Sequence, residues 1–470
     1  MDVLNRQFKD VVILGGGPSG LSAGHVLSES GSNVLVIERQ ACVGGLAKTI
    51  EHHGFRFDLG GHRFITGNRQ LEALVREVLE GDLLVVERSS KILLDGKFYD
   101  YPISVRNALS RLGLRTSIRL VADYLWEQIR KHFTKTPIIS LEDWVVRHFG
   151  RSLFDVFFKE YSEKVWGVPC DRIAKEWVAK RIKGLSLGVA IRGAFSRAES
   201  RRLRTLANQF LYPPLGIGQI CDNLQLRIDQ TGQVVTDTSV IGINHKDNEI
   251  QSVMVQNAGG IHEYSGSEFI SSIPLTVIVQ LLNPQPPVEV LQAAASLRFR
   301  DLVVVTVMLD RERVTDQTWM YIPDRDVPFG RIHEPKNWSA RMAPEGKTHL
   351  VVEYFCFSGD AIWTATDTAL EQRTVRELNR MGFIEPDEVF DSAVLRIPKA
   401  YPLFEVDYIQ KQKCIVDYFD RFSNLELVGR GGQFEYYNTD HAMESGIAAA
   451  EAVRGRLALP FVVETPALVS

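Results

Sequence analysis

The stretch VVILGGGPSGLSAGHVLSESGSNVLVIE, residues 11–38, constrains this chain more than any other. Val11 to Leu14 form a continuous apolar run, LSAGHVLSES has helical spacing, and NVLVIE is a second apolar run. Together they read as a βαβ unit. Gly15, Gly17 and Gly20 stand at the spacing GxGxxG, with Pro18 and Ser19 between the last two, and Glu38 closes the second strand 18 residues after Gly20. Gly15 permits the turn, Gly17 lets a pyrophosphate approach the backbone, and Gly20 lets the helix lie close on the sheet. The helix amino terminus favours negative charge, and an acid at the end of the second strand accepts ribose hydroxyls. A bound dinucleotide is expected here.

The rest of the composition excludes more than it identifies. A chain of 470 residues with 45% hydrophobic content is expected to bury more than one core. A formal net charge of −4 gives no footprint for nucleic acid. Cys42, Cys170, Cys221, Cys356 and Cys414 are scattered singly, so neither a disulfide framework nor a zinc site is expected, and no metal is assigned. No apolar run approaches the ~18 residues of a spanning helix, and MDVLNRQFKD carries no signal-like apolar stretch. The expectation is a soluble, cytoplasmic protein.

Further along, LEALVREVL repeats at helical period, KILLDGKFYDY reads as a hairpin turning at Asp95-Gly96, and residues 103–210 are patterned as helices. Ser140 and Asp143 are placed for a capping box. From residue 233 strands dominate, among them DLVVVTVML and HLVVEYFCF, and the end returns to a strand, NLELVGR, and a helix, DHAMESGIAAAEAVRGRL. The fold class is therefore α/β: a discontinuous Rossmann-like dinucleotide-binding domain from about 1–100, 215–275 and 415–460, a helical insert at 101–214, and a substrate domain with an antiparallel sheet at 276–414.

FDLGGHRF, residues 57–64, sets Gly60 and Gly61 directly before His62, and ERQACVGGLAKT carries Arg39, Gly44, Gly45 and Leu46 after the acid. The second segment resembles an FAD-contacting loop of glutathione-reductase-type flavoproteins close to the amine oxidases, which implies FAD. In that family a glycine pair passes close under the flavin, so Gly60 and Gly61 would make room for the ring and His62 would face it, near the chemistry of N5. His25, His52 and His53 read as surface or structural positions.

Taken in order, FDLGGHRF, DYP, EDWVVRHFG, FFKEYSEKVWGVP, EWVAKRI and GRGGQFEYYNTDHAMESG resemble the UDP-galactopyranose mutases. The resemblance implies that His62 sits at the flavin, that Arg181 and Tyr401 contact a diphosphate, and that Tyr436 and Asn438 border the substrate. Tyr161 and Trp166 would wall the nucleotide pocket. Val240 would present backbone to adenine, and Gly429, Arg430 and Met443 would close the flavin side. The bacterial pattern carries a second diphosphate arginine immediately before SLRF, where this chain has Ala295.

The functional expectation is an FAD enzyme acting on a nucleotide- or lipid-linked sugar in surface-glycan assembly, by net oxidation or by redox-neutral rearrangement. The glycine and GGH features serve equally in an oxidase resembling protoporphyrinogen oxidase and the flavin amine oxidases, with an apolar substrate. The segment from Arg192 to Arg204 is either a solvated helix face, a lid, or a contact for anionic lipid.

Overall fold

Val11 to Leu14 are excluded from solvent because they lie at the middle of a sheet covered on both faces. In the computed structural model, which describes residues 6–101, 112–134, 137–181 and 209–458, their strand Arg6–Leu14 runs parallel to Val34–Ile37 on one side and Gly260–Ser271 on the other. Gln233–Val235 extends the sheet beyond Val34–Ile37, and Leu425–Leu427 pairs in parallel with the end of Gly260–Ser271. Strands from distant parts of the chain thus complete one layer. Ser239–Lys246 and Glu249–Asn257 continue it as an antiparallel ribbon. The helices Pro18–Glu29, Gly218–Ile228 and Thr439–Arg456 pack together beside it.

The second sheet has seven strands in the order Val389–Pro402, Phe299–Leu309, Thr348–Cys356, Arg331–His333, Trp319–Tyr321, Ser90–Leu94 and Lys97–Asp100. Phe299–Leu309 and Thr348–Cys356 are buried throughout, which is why their sequences are almost unbroken apolar runs. The hairpin Ser90–Asp100, grouped above with the dinucleotide-binding part, belongs to this second sheet. Ser90 and Ile92 pair in parallel with Trp319 and Tyr321. Strand alternation marks a hairpin's buried face but does not say which sheet edge receives it.

From residue 112 to 181 the described chain is mostly helical, with Leu114–Phe133, Leu141–Phe149, Glu160–Trp166 and Lys175–Arg181. The capping box forms: Ser140 Oγ accepts the Asp143 N–H at 3.1 Å and Asp143 Oδ2 accepts the Ser140 N–H at 3.1 Å. Arg192 to Arg204 lie outside the described residues.

Candidate flavin and substrate site

The glycine turn is built without room for side chains. Gly15 has φ +107°, and a Cβ on Gly20 would come within 2.0 Å of the Gly15 carbonyl oxygen. Gly17 faces Gly45, whose own Cβ position lies 3.3 Å from the Gly17 Cα, so bare backbone floors this groove. Gly44 donates its N–H to Gly16 O at 2.8 Å, tying the second glycine segment to the first. Pro18 occupies the first turn of its helix, where a missing N–H costs nothing, and no acid in that turn offsets the helix dipole. The helix itself therefore presents its uncompensated positive end to an anion bound here.

Glu38 is buried where the second strand ends, its carboxylate accepting the Gly16 N–H at 2.9 Å and the Gln40 N–H at 2.8 Å. Its carbonyl accepts the Thr238 N–H at 2.9 Å, which brings the segment leading to Val240 alongside it. Leu46 sits half-buried in the short turn Gly45–Ala47, and Arg39 is exposed. On the opposite side, Gly429 has φ +76° and a Cβ there would lie 2.4 Å from Ser19 Oγ, while one on Gly446 would lie 2.0 Å from Ser19 O. The last helix therefore presses on the start of the first, with Met443 fully buried near its beginning.

Gly60 answers the question of why FDLGGHRF needs glycines. It has φ +120°, and a Cβ on it would approach the Glu353 carboxylate at 3.2 Å. Glu353 in turn accepts the Gly61 N–H at 3.1 Å. His62 follows, half-buried, with no hydrogen-bond partner for its shielded Nδ1. Desolvation, together with the guanidiniums of Arg430 and Arg331, pushes its pKa down to about 3, so the ring is neutral at physiological pH.

His62 opens onto a cleft of roughly 680 Å³, part of it continuous with solvent. Tyr401, Arg430, Tyr436 and Asn438 line it together with Gly61 and His62. Tyr401 and Tyr436 stack at 6.2 Å, and Arg430 lies 5.1 Å and 5.5 Å from their ring centres. Donation to Tyr437 O at 2.7 Å and Ala400 O at 3.0 Å fixes the Arg430 head. Trp166 is buried behind this wall, edge-on to both tyrosines, and Tyr161 meets Tyr321 edge-on at 5.3 Å. Arg181 ends the helix Lys175–Arg181, and its side chain lies outside the described residues.

The lining also contains Arg63, the arginine directly behind His62, and Trp319, Tyr321, Arg331, Glu353 and Thr439, to which the sequence assigns no role. Arg331 donates to Glu353 Oε2 at 2.5 Å and to the Tyr401 hydroxyl at 2.9 Å. Burial opposes its charge, but Glu353 and the surrounding tyrosines hold its pKa above the ordinary arginine value. Ala295, which stands where the mutase pattern has an arginine, is exposed on the helix Val288–Ser296, and Arg331 lines the cleft. Glu353 had left a signal: it is a lone acid in the apolar run HLVVEYFCF, and a fully buried acid must have partners. Arg331 sits in an ordinary alternating strand and left none.

Comparison with known proteins agrees with this geometry. The family described as flavin containing amine oxidoreductase matches residues 18–454. Coproporphyrinogen III oxidase of Staphylococcus aureus is 23% identical over 96% of this chain and 100% of its own length. Among solved structures, reduced UDP-galactopyranose mutase superposes with a TM-score of 0.79 at 21% identity, covering 95% of this chain and 94% of that one. A putative protoporphyrinogen oxidase from Exiguobacterium sp. 255-15 gives 0.73 at 17% identity, covering 95% and 99%. The side-chain-free groove between Gly17 and Gly45, the buried Glu38 and the neutral, unpartnered His62 Nδ1 fit FAD laid from the first helix towards the cleft. This chain belongs to the flavin-containing amine oxidoreductase family and is an FAD-dependent enzyme.

Proposed function

We propose that the enzyme acts on a diphosphate-linked sugar, carried by a nucleotide or a lipid, in the assembly of a cell-surface glycan. The observation that carries this reading is the charge of the cleft: Arg63, Arg331 and Arg430 line it, against the single carboxylate of Glu353, already engaged by Arg331. Guanidiniums held this way favour a multiply charged anion, and the stacked tyrosines offer a flat surface to a sugar or base. FAD bound beside His62 would supply a ring able to take up or return an electron pair. The chain's own part is to hold the diphosphate with Arg331 and the adjoining Tyr401 hydroxyl, to orient the sugar through Tyr436 and Asn438, and to keep a neutral imidazole at the flavin.

A second feature supports a lipid-borne substrate. The helix Leu114–Phe133 exposes Leu114, Ile118, Val121, Leu125, Ile129 and Phe133 in one row, with Trp126 beside it. Arg115, Arg119, Arg130 and Lys131 are exposed with them, whereas the acids of this helix turn inward: Asp123 accepts the Ser152 N–H and Glu127 is buried against Arg130. Apolar and cationic groups together fit an anionic bilayer surface, and like charges disfavour a second copy of the same helix. No described helix is long and apolar enough to cross a membrane. Leu125→Glu should reduce sedimentation with phosphatidylglycerol vesicles.

A competing reading is a porphyrinogen oxidase, favoured by the full-length similarity to the staphylococcal enzyme. Two incubations separate them. Reduced protein should bind UDP-sugars and lose that binding in Arg331→Ala. If it binds no sugar diphosphate, while anaerobic coproporphyrinogen bleaches the oxidised flavin, the glycan reading falls.

A further inference from the structure

The hairpin of Thr49–His52 and Phe55–Asp58 carries two successive histidines at its turn. Neighbouring residues of a strand point to opposite faces, so His52 and His53 should diverge. They converge because the chain turns between them: His53 and Gly54 form the two-residue hairpin loop, with the φ of +49° and +82° that such a turn requires. The two rings lie 4.1 Å apart between centres. Both point at one atom: Asp391 Oδ2 is 2.9 Å from His52 Nε2 and 2.7 Å from His53 Nδ1. Asp391 belongs to the strand Val389–Pro402 of the second sheet, and its backbone-side oxygen, Oδ1, accepts the Ser392 N–H at 2.8 Å.

We propose that His52, His53 and Asp391 form a binding site for a divalent transition metal of the zinc class, separate from the flavin and substrate cleft. The three donor atoms lie within 4.8 Å of one another. Ligands at about 2.0–2.2 Å from a tetrahedral zinc stand roughly 3.3–3.5 Å apart, so the present contacts need open by only about half an ångström. Two imidazole nitrogens and one carboxylate oxygen suit zinc, cobalt or nickel, whereas magnesium and calcium prefer all-oxygen shells. The His53 side chain is 68% exposed, which leaves the remaining coordination position to water.

The ion would clip together two elements whose far ends reach the cleft. Phe55–Asp58 leads into Gly60–His62, and Val389–Pro402 contains Tyr401 near its end. The site therefore acts on the frame of the enzyme and not on the reacting atoms.

The test uses the full-length, FAD-loaded protein stripped with chelator and titrated calorimetrically with zinc chloride. One saturable site is expected, with a rise in melting temperature and no response to magnesium. Asp391→Asn should weaken zinc by at least about tenfold, the range over which even supporting groups of metal sites act. His53→Asn should do the same while keeping the left-handed turn, and it preserves the test should Asp391→Asn misfold. Cobalt in place of zinc should give tetrahedral d–d bands. Absence of a saturable site, undiminished zinc affinity in the folded variants, or a thiolate-to-cobalt band pointing to Cys42 or Cys414 would overturn the proposal.

Discussion

The Glu353 carboxylate accepts the Gly61 N–H at 3.1 Å across 292 residues of sequence, while its second oxygen receives Arg331 at 2.5 Å. One buried acid thus supports both the Gly60–His62 turn and the guanidinium that lines the cleft. Glu353→Ala leaves a buried guanidinium and an amide without their acceptor, at a cost of about 3–5 kcal/mol. Glu353→Gln keeps an acceptor for Gly61 and should lose less. Melting temperature and retained FAD, measured on both variants, should fall in that order.

Gly60 and Gly61 should respond differently to alanine. At Gly60 the backbone is left-handed and a methyl group would crowd the Glu353 carboxylate at 3.2 Å, so Gly60→Ala should cost about 1–3 kcal/mol of stability even without cofactor. At Gly61 the nearest atoms lie at 3.7 Å, an ordinary contact. Gly61→Ala should leave the melting point of the FAD-free protein unchanged and weaken FAD binding. Equal effects on the FAD-free protein would contradict this assignment.

Asp58, immediately before that turn, is fully buried, and burial raises its pKa to about 7 although Thr49, Tyr212 and the Ile217 N–H all donate to it. The native state therefore holds a proton that the unfolded chain releases near 4. Its contribution to stability is present below about pH 4, is lost as pH rises towards 7 by up to about 1.4 kcal/mol per unit, and is flat above. The wild-type melting temperature should fall by more between pH 5 and pH 8 than that of Asp58→Asn.

His62 should stay neutral wherever the protein is folded. Its lowered pKa gives the opposite sign to that of Asp58: the stability it contributes is complete above about 6.5 and is lost as pH falls towards 3. His25, buried in the first helix with a pKa lowered chiefly by desolvation to about 4, adds in the same direction. In NMR spectra the imidazole signals that disappear in His62→Ala should not move between pH 8 and pH 5. A midpoint inside that interval would mean that the ring is solvated and does not face an enclosed flavin.

Much of the site could be anticipated from short segments. His62 behind its glycine pair, Tyr401, and Tyr436 and Asn438 in GRGGQFEYYNTDHAMESG stand on different segments, and the fold brings them to one cleft. Arg331 could not be found this way, because an arginine in an alternating strand is ordinary until the opposing strand shows a buried acid. The Ser90–Asp100 hairpin is legible from its own residues, but its pairing with Trp319–Tyr321, more than 200 residues away, is not.

Sequence by itself determined the dinucleotide-binding unit, since its strand, glycine turn, helix and acid lie within residues 11–38 and each residue's job is set by near neighbours. Tertiary structure alone decided the charge of the substrate cleft and the meeting of His52, His53 and Asp391. Those groups come from strands, loops and the short helix Gly429–Gly432, and their contact depends on how the fold packs these elements together. Alternation of apolar residues fixes which face of a strand is buried, but leaves open which neighbour it meets.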